Sequence, residues 1–503
     1  MEFQLLLHND NELDEESSFP TRAGQANSML DNFVYGLDTI SRIYSACSRT
    51  LKNIASLSST ISSGHLYSLA SNVLAALFNL LPRFLRKGGL NQTKTIHDTS
   101  YLDALRGWAA IIVFITHTFP YKGFPIFQHP FTKVLVHGRA MVMVFFVISG
   151  YALSYRMLKL IRTRQALALL ETFISSIFRR FLRLYGSTGA ATFFSMLLVW
   201  FRICIPENRQ ATFLLQLKHW VIDFAHFSYP LAPNVDGYVH SGALVSTYLG
   251  VTWTIPIEFR GSMLVFVFCI GACKLSTRNR MTLCWFFIVC SYFYQAIYVG
   301  MFLGGLFIAD LSFTRHPDRL IPPSQLPRSS DISFIETKPS CQPVKAKIFY
   351  TAVLTVALFL LSQPHGKGIR QEYWPWPVLE KVIPSFLVGW RSRELWWISI
   401  GSFLLVWALD SCPMLQTPLL WNISQYVGEL SFGIYLTHLL VLWTVWTPIL
   451  DPLRVLCLGD AMWTYAPFYA IHFLVMIWAS EFIRFDKKVI AFAAWCKKKT
   501  FVW

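Results

Sequence analysis

The chain has 503 residues and a formal net charge of +16; 54% of its residues are hydrophobic and only 14% are charged. With a mean hydropathy of +0.43, against the roughly 25% charged residues of soluble domains, this composition excludes an ordinary soluble domain and implies a polytopic membrane protein. No nucleic-acid-binding module accompanies the basic balance, and the Lys and Arg residues sit in short stretches beside apolar runs, where they set topology.

The beginning, with Asp10, Glu12, Asp14, Glu15 and Glu16, lacks the basic region of a signal peptide. Residues 1–64 are polar and Ser-rich and read as a disordered cytosolic tail. Residues 65–95 read as a basic amphipathic helix lying in the interface, with a stripe from Leu66 through Val73 to Leu81 closed by Arg83, Arg86 and Lys87. The ten cysteines are scattered without a C-x-x-C pair, so neither a zinc site nor a disulfide framework is expected, and no metal is assigned.

Residues 96–490 form the membrane domain, followed by a short basic tail over 491–503. Candidate spans fall at 103–120, 138–155, 186–204, 247–272, 282–299, 300–313, 348–363, 376–390, 396–411, 429–449 and 463–483, several short for a hydrocarbon core that needs about 20 residues. The basic stretch 156–183, with Arg156, Lys159, Arg162, Arg164, Arg179, Arg180 and Arg183 against Glu171, places that side in the cytosol together with the N-terminus and the loop 314–347. An N-terminus and a C-terminus on the same side require an even count. The expected fold is therefore an all-α polytopic bundle of about ten transmembrane helices, with 205–245 a long luminal loop and the Asn422-Ile423-Ser424 sequon in another.

Chemistry concentrates in a few polar residues inside apolar runs. Arg106 and His117 stand eleven positions apart in one predicted helix, hence on one face and about 16 Å apart along the axis. An imidazole inside a spanning segment is a functional-site hypothesis by default. Glu258 is the one acid in its span and follows Pro256, which interrupts helical bonding; His117 or His438 is its expected partner. Tyr435 and His438 share a helix face, and Trp253 lies one turn before Glu258. Ser149 and Gly150 read as small residues that let helices approach closely. Arg179, Arg180 and Arg183 cluster within one turn at the predicted cytosolic mouth, where they serve either as topological anchors or as ligands of an anion.

Five segments in order resemble the acyltransferase 3 family of integral membrane O-acyltransferases: Leu102 to Gly107 through His117, Phe145 to Tyr151, Arg179 to Tyr185, Trp253 to Phe259, and Leu430 to His438. Together they cover residues 101 to about 485. Two local departures stand: Gly186 follows Tyr185 where the family often has Pro, and Ser480-Glu481 is not closely followed by Pro. The wording around Trp253 looks most like fungal members, many of them associated with secondary metabolism.

The resemblance implies transfer of an acyl group, most simply acetyl from acetyl-CoA as co-substrate with no tightly bound cofactor, to a hydroxyl of a small lipophilic acceptor such as a terpenoid or polyketide. His117 is the expected base, Glu258 its positioning partner, and Arg106, Arg179, Arg180 and Arg183 the donor ligands. Trp253, Tyr435 and His438 line the acceptor side. The expected location is a multi-pass position in the endoplasmic reticulum or another endomembrane. The rival readings are acylation of a glycan or sterol, and a proton-coupled transporter on the same scaffold.

Overall fold

A computed structural model describes residues 81–86, 89–90, 96–121, 124–203, 209–230, 244–320, 343–364, 373–483 and 485–500. The expectations for 1–64 and for most of 65–95 fall outside these residues. Among the described residues the chain is all-helical, without a strand; Ser246 and Leu249 form one isolated bridge.

The larger of two units comprises residues 77–441 and 474–503. Its helices are α1 (Ser100–Thr118), α2 (Gly138–Arg162), α3 (Ala166–Phe181), α4 (Ser187–Trp200), α5 (Phe213–Phe227), α6 (Thr254–Gly271), α7 (Thr277–Phe293), α8 (Ile297–Arg315), α9 (Val344–Leu361), α10 (Trp390–Ser411) and α11 (Asn422–Val441). The smaller unit, 442–473 in its described part, holds a π-helical stretch Leu442–Leu450 and α12 (Asp451–Leu458). There Arg454 is buried and held by Asp451 (2.9 Å), Asp460 (3.0 Å) and Thr464 (2.9 Å). Helix α13 (Tyr465–Phe482) spans the boundary in sequence, and α14 (Phe485–Thr500) ends the described chain.

Six stretches among the described residues are long and apolar enough to cross a membrane: Gly138–Arg162, Gly250–Gly271, Ile297–Arg315, Val344–Leu361, Asn422–Leu458 and Met462–Phe482. A seventh follows if Ser392–Ser411 and Pro413–Leu420, bent by 106°, count as one broken span. The expected number of about ten is not confirmed. Helix α4 has 14 residues, about 21 Å at 1.5 Å per residue and short of a hydrocarbon core of about 30 Å. The expected span at 376–390 is corrected: only Trp376–Lys381 is helical there, and the chain then turns through Pro384.

Two expected loops contain helices. The basic stretch 156–183 is the end of α2 followed by α3. The segment 205–245 carries α5, whose Thr212 side chain accepts from the Leu215 amide at 3.3 Å as an N-cap. The sequon is also relocated. Helix α11 runs parallel to α1, and the Gln425 amide donates to the Ser100 carbonyl at 3.0 Å. Asn422 thus shares an end of the bundle with the start of α1, the end assigned to the cytosol, rather than lying opposite it.

Close backbone contact sets the packing. A Cβ on Gly150 would lie 2.0 Å from the Phe302 carbonyl oxygen, and one on Gly305 2.0 Å from that of Val147, so α2 and α8 touch backbone to backbone. Helices α1 and α11 do the same, with a Cβ on Gly107 falling 2.5 Å from the Gly428 nitrogen. Such approach maximises dispersion and dipolar contact where lipid supplies no hydrophobic drive. Buried charges tie one end of the bundle. Asp310 accepts from Arg162 at 2.8 Å and Arg280 at 2.7 Å, and Asp410 accepts from Tyr151 at 2.8 Å, Tyr101 at 3.1 Å and Ser312 at 3.1 Å.

Replacing Gly305 with Val forces α2 and α8 apart. The expected result is a loss of at least about 3 kcal/mol, read as a fall in melting temperature and in the monodisperse fraction on detergent size-exclusion.

Candidate active site

Five helices of the larger unit wall one pocket enclosing about 700 Å³ of space, its open mouth included. Helix α2 contributes Val142, Phe145, Phe146 and Ser149, an i, i+3, i+4, i+7 set that falls on one face. Helix α1 contributes Arg106; α6 contributes Thr254, Ile255 and Glu258; α11 contributes Ser431, Phe432 and Tyr435. The remaining wall is Arg180, Arg183 and Leu184, at the point where α3 gives way to a π-helical turn, Leu182–Gly186, before α4. A wider turn at this point belongs to the class of helix distortions that recur at functional sites.

The pocket wall is largely apolar, with a cationic set of side chains placed in it. Its lining carries three guanidinium groups, Arg106, Arg180 and Arg183, and one carboxylate, Glu258. Glu258 forms an ion pair with Arg180 and accepts from the Ser149 hydroxyl at 2.6 Å. Arg180 Nε donates to Ser262 Oγ at 2.8 Å, and Ser262, one turn beyond Glu258, donates to the Glu258 carbonyl. The two side chains of the pair are only 11% and 16% exposed. Burial lowers the Arg180 guanidinium from its ordinary value; Glu258 opposes that shift and neighbouring Arg106 adds to it, although an arginine stays charged throughout. Arg106 also meets Asp103 at 3.5 Å.

A second polar group lies beyond Tyr435. The Tyr435 hydroxyl donates to the Val251 carbonyl and sits 2.5 Å from Thr254 Oγ. Its ring is 6.2 Å from that of His438, which in turn is 5.4 Å from the ring of His117. His438 is fully buried, whereas His117 is exposed near the end of α1.

The sequence expectations divide accordingly. Arg106, Arg180, Arg183, Glu258 and Tyr435 line the pocket together. His117 and His438 meet each other and are not part of that lining. Glu258 is not placed against either histidine as expected: Arg180, near the end of α3, pairs with it instead, and a partly buried carboxylate takes the nearest cation. Arg179 is exposed and donates to the Ser175 carbonyl of its own helix at 3.1 Å. Trp253 packs near Tyr298, with ring centres 6.4 Å apart, outside the lining. Arg180 and Arg183 sit in the pocket wall, one near the end of α3 and the other in the turn that follows it.

Ser149 is the main residue whose part was misread. Gly150 does allow the close approach expected of it, but Ser149 binds Glu258 instead of merely sparing space. Its place seven residues after Val142 on the pocket face of α2 was the available signal. Ser262 likewise lies one turn from Glu258, and Ser431 is the second residue of the last of the five motifs. Among the described residues no three His, Cys, Asp or Glu side chains converge to hold a metal ion.

The helices, the pocket and the five motifs define a membrane acyltransferase. A family model described as an acyltransferase domain, that of the acyltransferase 3 family, matches residues 99–483, and the chain belongs to that family. It is 28% identical over 384 residues to the O-acetyltransferase PaAT-1 of Phomopsis amygdali, a match covering 69% of this chain and 73% of that protein. It is 23% identical over 396 residues to an acyltransferase of a Phoma species and 22% identical over 396 residues to acyltransferase clz18 of Cochliobolus lunatus, each match covering 68% of this chain and 82% of the relative. No solved structure matches the chain significantly.

Removing Arg180 leaves Glu258 in a low-dielectric wall with no cation paired to it. Arg180→Ala is expected to cost about 3 kcal/mol, and the double substitution Arg180→Ala with Glu258→Gln to be clearly more stable than that single variant. Thermal denaturation of the three detergent-solubilised proteins checks the order.

Proposed function

We propose that the chain moves an acyl group, most simply acetyl from acetyl-CoA, to the hydroxyl of a small lipophilic acceptor of the terpenoid or polyketide kind. The observation that carries this reading is the guanidinium-rich pocket standing on the same helix as His117. Coenzyme A bears several phosphate charges, which fork-shaped arginines bind well. Arg106, Arg180 and Arg183 converge on one lining with Glu258, and Asp103 stands beside Arg106, an arrangement whose guanidinium groups suit an anion. The aromatic and aliphatic side of the pocket, Phe145, Phe146 and Phe432 above all, suits the uncharged arm of the donor. Eleven residues of α1 separate Arg106 from His117, about 16 Å, a gap that an extended arm bridges between its phosphates and its thioester.

In this reading His117 takes the proton of the acceptor hydroxyl as its oxygen attacks the thioester carbonyl carbon. The C–O bond forms, the C–S bond breaks, and the imidazolium returns the proton to the departing thiolate, leaving an ester and free coenzyme A. Direct transfer is preferred to an acyl-enzyme, because the sequence has no G-x-S-x-G nucleophile elbow. Glu258 holds Arg180 in place instead of orienting the base. The O-acetyltransferase named among the relatives supports acetyl as the group moved. The basic ends of α2 and α3 support a cytosolic approach for the donor, with the enzyme resident in the endoplasmic reticulum or another endomembrane.

Two measurements test this. Membranes carrying the chain, given labelled acetyl-CoA and a pool of hydroxylated terpenoids and polyketides, should label one acceptor. His117→Ala should lower kcat by about 100- to 10,000-fold while protein level and KM for acetyl-CoA stay near those of the wild type; an unchanged rate overturns the assignment. Arg183→Ala should raise KM for acetyl-CoA by about tenfold with little change in kcat, and the penalty should shrink in high salt, which screens exposed charges.

A further inference from the structure

We infer that Glu258 has a second task, to accept a hydrogen bond from the pantoyl hydroxyl of coenzyme A; this rests on the reading of the pocket as the donor site. The two oxygens of its carboxylate are not alike. Oε1 accepts from the Ser149 hydroxyl at 2.6 Å and from Arg180 as well. Oε2 accepts from none of the described residues, and it is not among the polar atoms sealed inside the protein. The side chain is 16% exposed and lines the pocket. With Oε1 held from both α2 and α3, the carboxylate does not turn freely. Oε2 is therefore a fixed acceptor on the pocket wall.

An anion seated on Arg106, Arg180 and Arg183 brings acceptor oxygens toward a carboxylate oxygen that also only accepts. If bound ligand covers Oε2 and offers it no donor, the desolvated acceptor costs free energy. Coenzyme A carries a suitable donor close to its charge. The chain leaving its pyrophosphate reaches a hydroxyl-bearing carbon within a few bonds, and the carbon before that one bears two methyl groups. The pocket has surfaces to match. Ser149 and Glu258 meet, and one turn before each of them on its own helix Phe145 and Ile255 line the same wall. Within one turn the wall thus offers a guanidinium group, an open carboxylate oxygen and hydrocarbon. The pantoyl end of the donor offers phosphate, hydroxyl and methyl groups in a similarly short span. Inorganic phosphate offers only the first of these, so Glu258 selects for the arm as the arginines select for the charge.

The test compares two ligands and needs no acceptor. Isothermal titration calorimetry on the detergent-solubilised full chain measures binding of coenzyme A and of its analogue with hydrogen in place of the pantoyl hydroxyl. The wild type should bind the analogue about 10- to 100-fold more weakly, as for loss of a hydrogen bond to a charged group. In Glu258→Ala the ratio of the two affinities should fall close to unity. A Glu258 that only holds Arg180 would weaken both ligands alike when removed, leaving that ratio at its wild-type value. The ratio therefore separates the two roles where either affinity alone does not. Glu258→Gln keeps the side-chain volume if the alanine variant folds poorly; with the charge gone, the ratio should fall by about threefold or more. Equal binding of the two ligands by the wild type, or a wild-type ratio retained in Glu258→Ala or Glu258→Gln, overturns the inference. A wild type that binds no coenzyme A removes the donor-site reading and this inference with it. Binding of coenzyme A without preference for the hydroxyl removes the inference alone.

Discussion

The structure depends most on the contact of bare backbone between helices. In an apolar medium two helices gain little by burying side chains that lipid would have covered equally well, so association favours surfaces that let main chains approach. Gly150 and Gly305 do this for α2 and α8, and Gly107 and Gly428 for α1 and α11. Each contact removes the freedom to slide along the axis. Side chains displayed further along those helices are consequently placed to within a fraction of a turn, which is the precision a hydrogen bond between them requires.

Charge is handled under the same constraint. Asp310, Asp410 and Glu258 are largely removed from solvent, and each has cations or hydroxyls around it. Asp310 is held on both oxygens by arginines of separate helices, and Asp410 is held on Oδ1 by hydroxyls from three helices, which suits a structural tie. Glu258 differs because its site is a cavity wall with two further arginines in it. A carboxylate there lowers the repulsion among guanidinium groups crowded together while no anion is bound. It also keeps Arg180 extended toward the pocket, where arriving phosphate oxygens would find it already oriented.

Much of this was legible in the sequence because it rests on short-range rules. The all-helical class follows from apolar runs. The shared face of Tyr435 and His438, and the eleven-residue separation of Arg106 and His117, follow from helical geometry, and the ordered motifs gave the family. What escaped has identifiable causes. Span ends were uncertain because polar residues such as Arg106, His117 and Ser149 interrupt the hydropathy signal at the very positions that build the site. The stretch 376–390 looked apolar but follows Pro375 and contains Pro377 and Pro384, and it yields only a short helix. The partner of Glu258 could not be read because Arg180 comes from another helix, and the packing of α3 against α6 is beyond any periodicity argument. Parallel packing of α1 and α11 is a tertiary fact, and the misplacement of Asn422 came from not knowing it.

The arrangement also bears on how such a site can serve a lipophilic acceptor. The cationic pocket and the exposed His117 are at different depths of one helix, and Tyr435 links them through its hydroxyl on one side and its neighbour His438 on the other. In the proposed function, a donor anchored by its phosphates is bound far from the bond that is broken, so its binding energy fixes the position of the thioester without crowding the base. The acceptor then has only to present a hydroxyl at His117. Under that proposal, remote anchoring leaves the placement of the donor independent of the acceptor's shape. In that proposal the residues for the first task are grouped around Arg106, Arg180 and Arg183, and those for the second around His117.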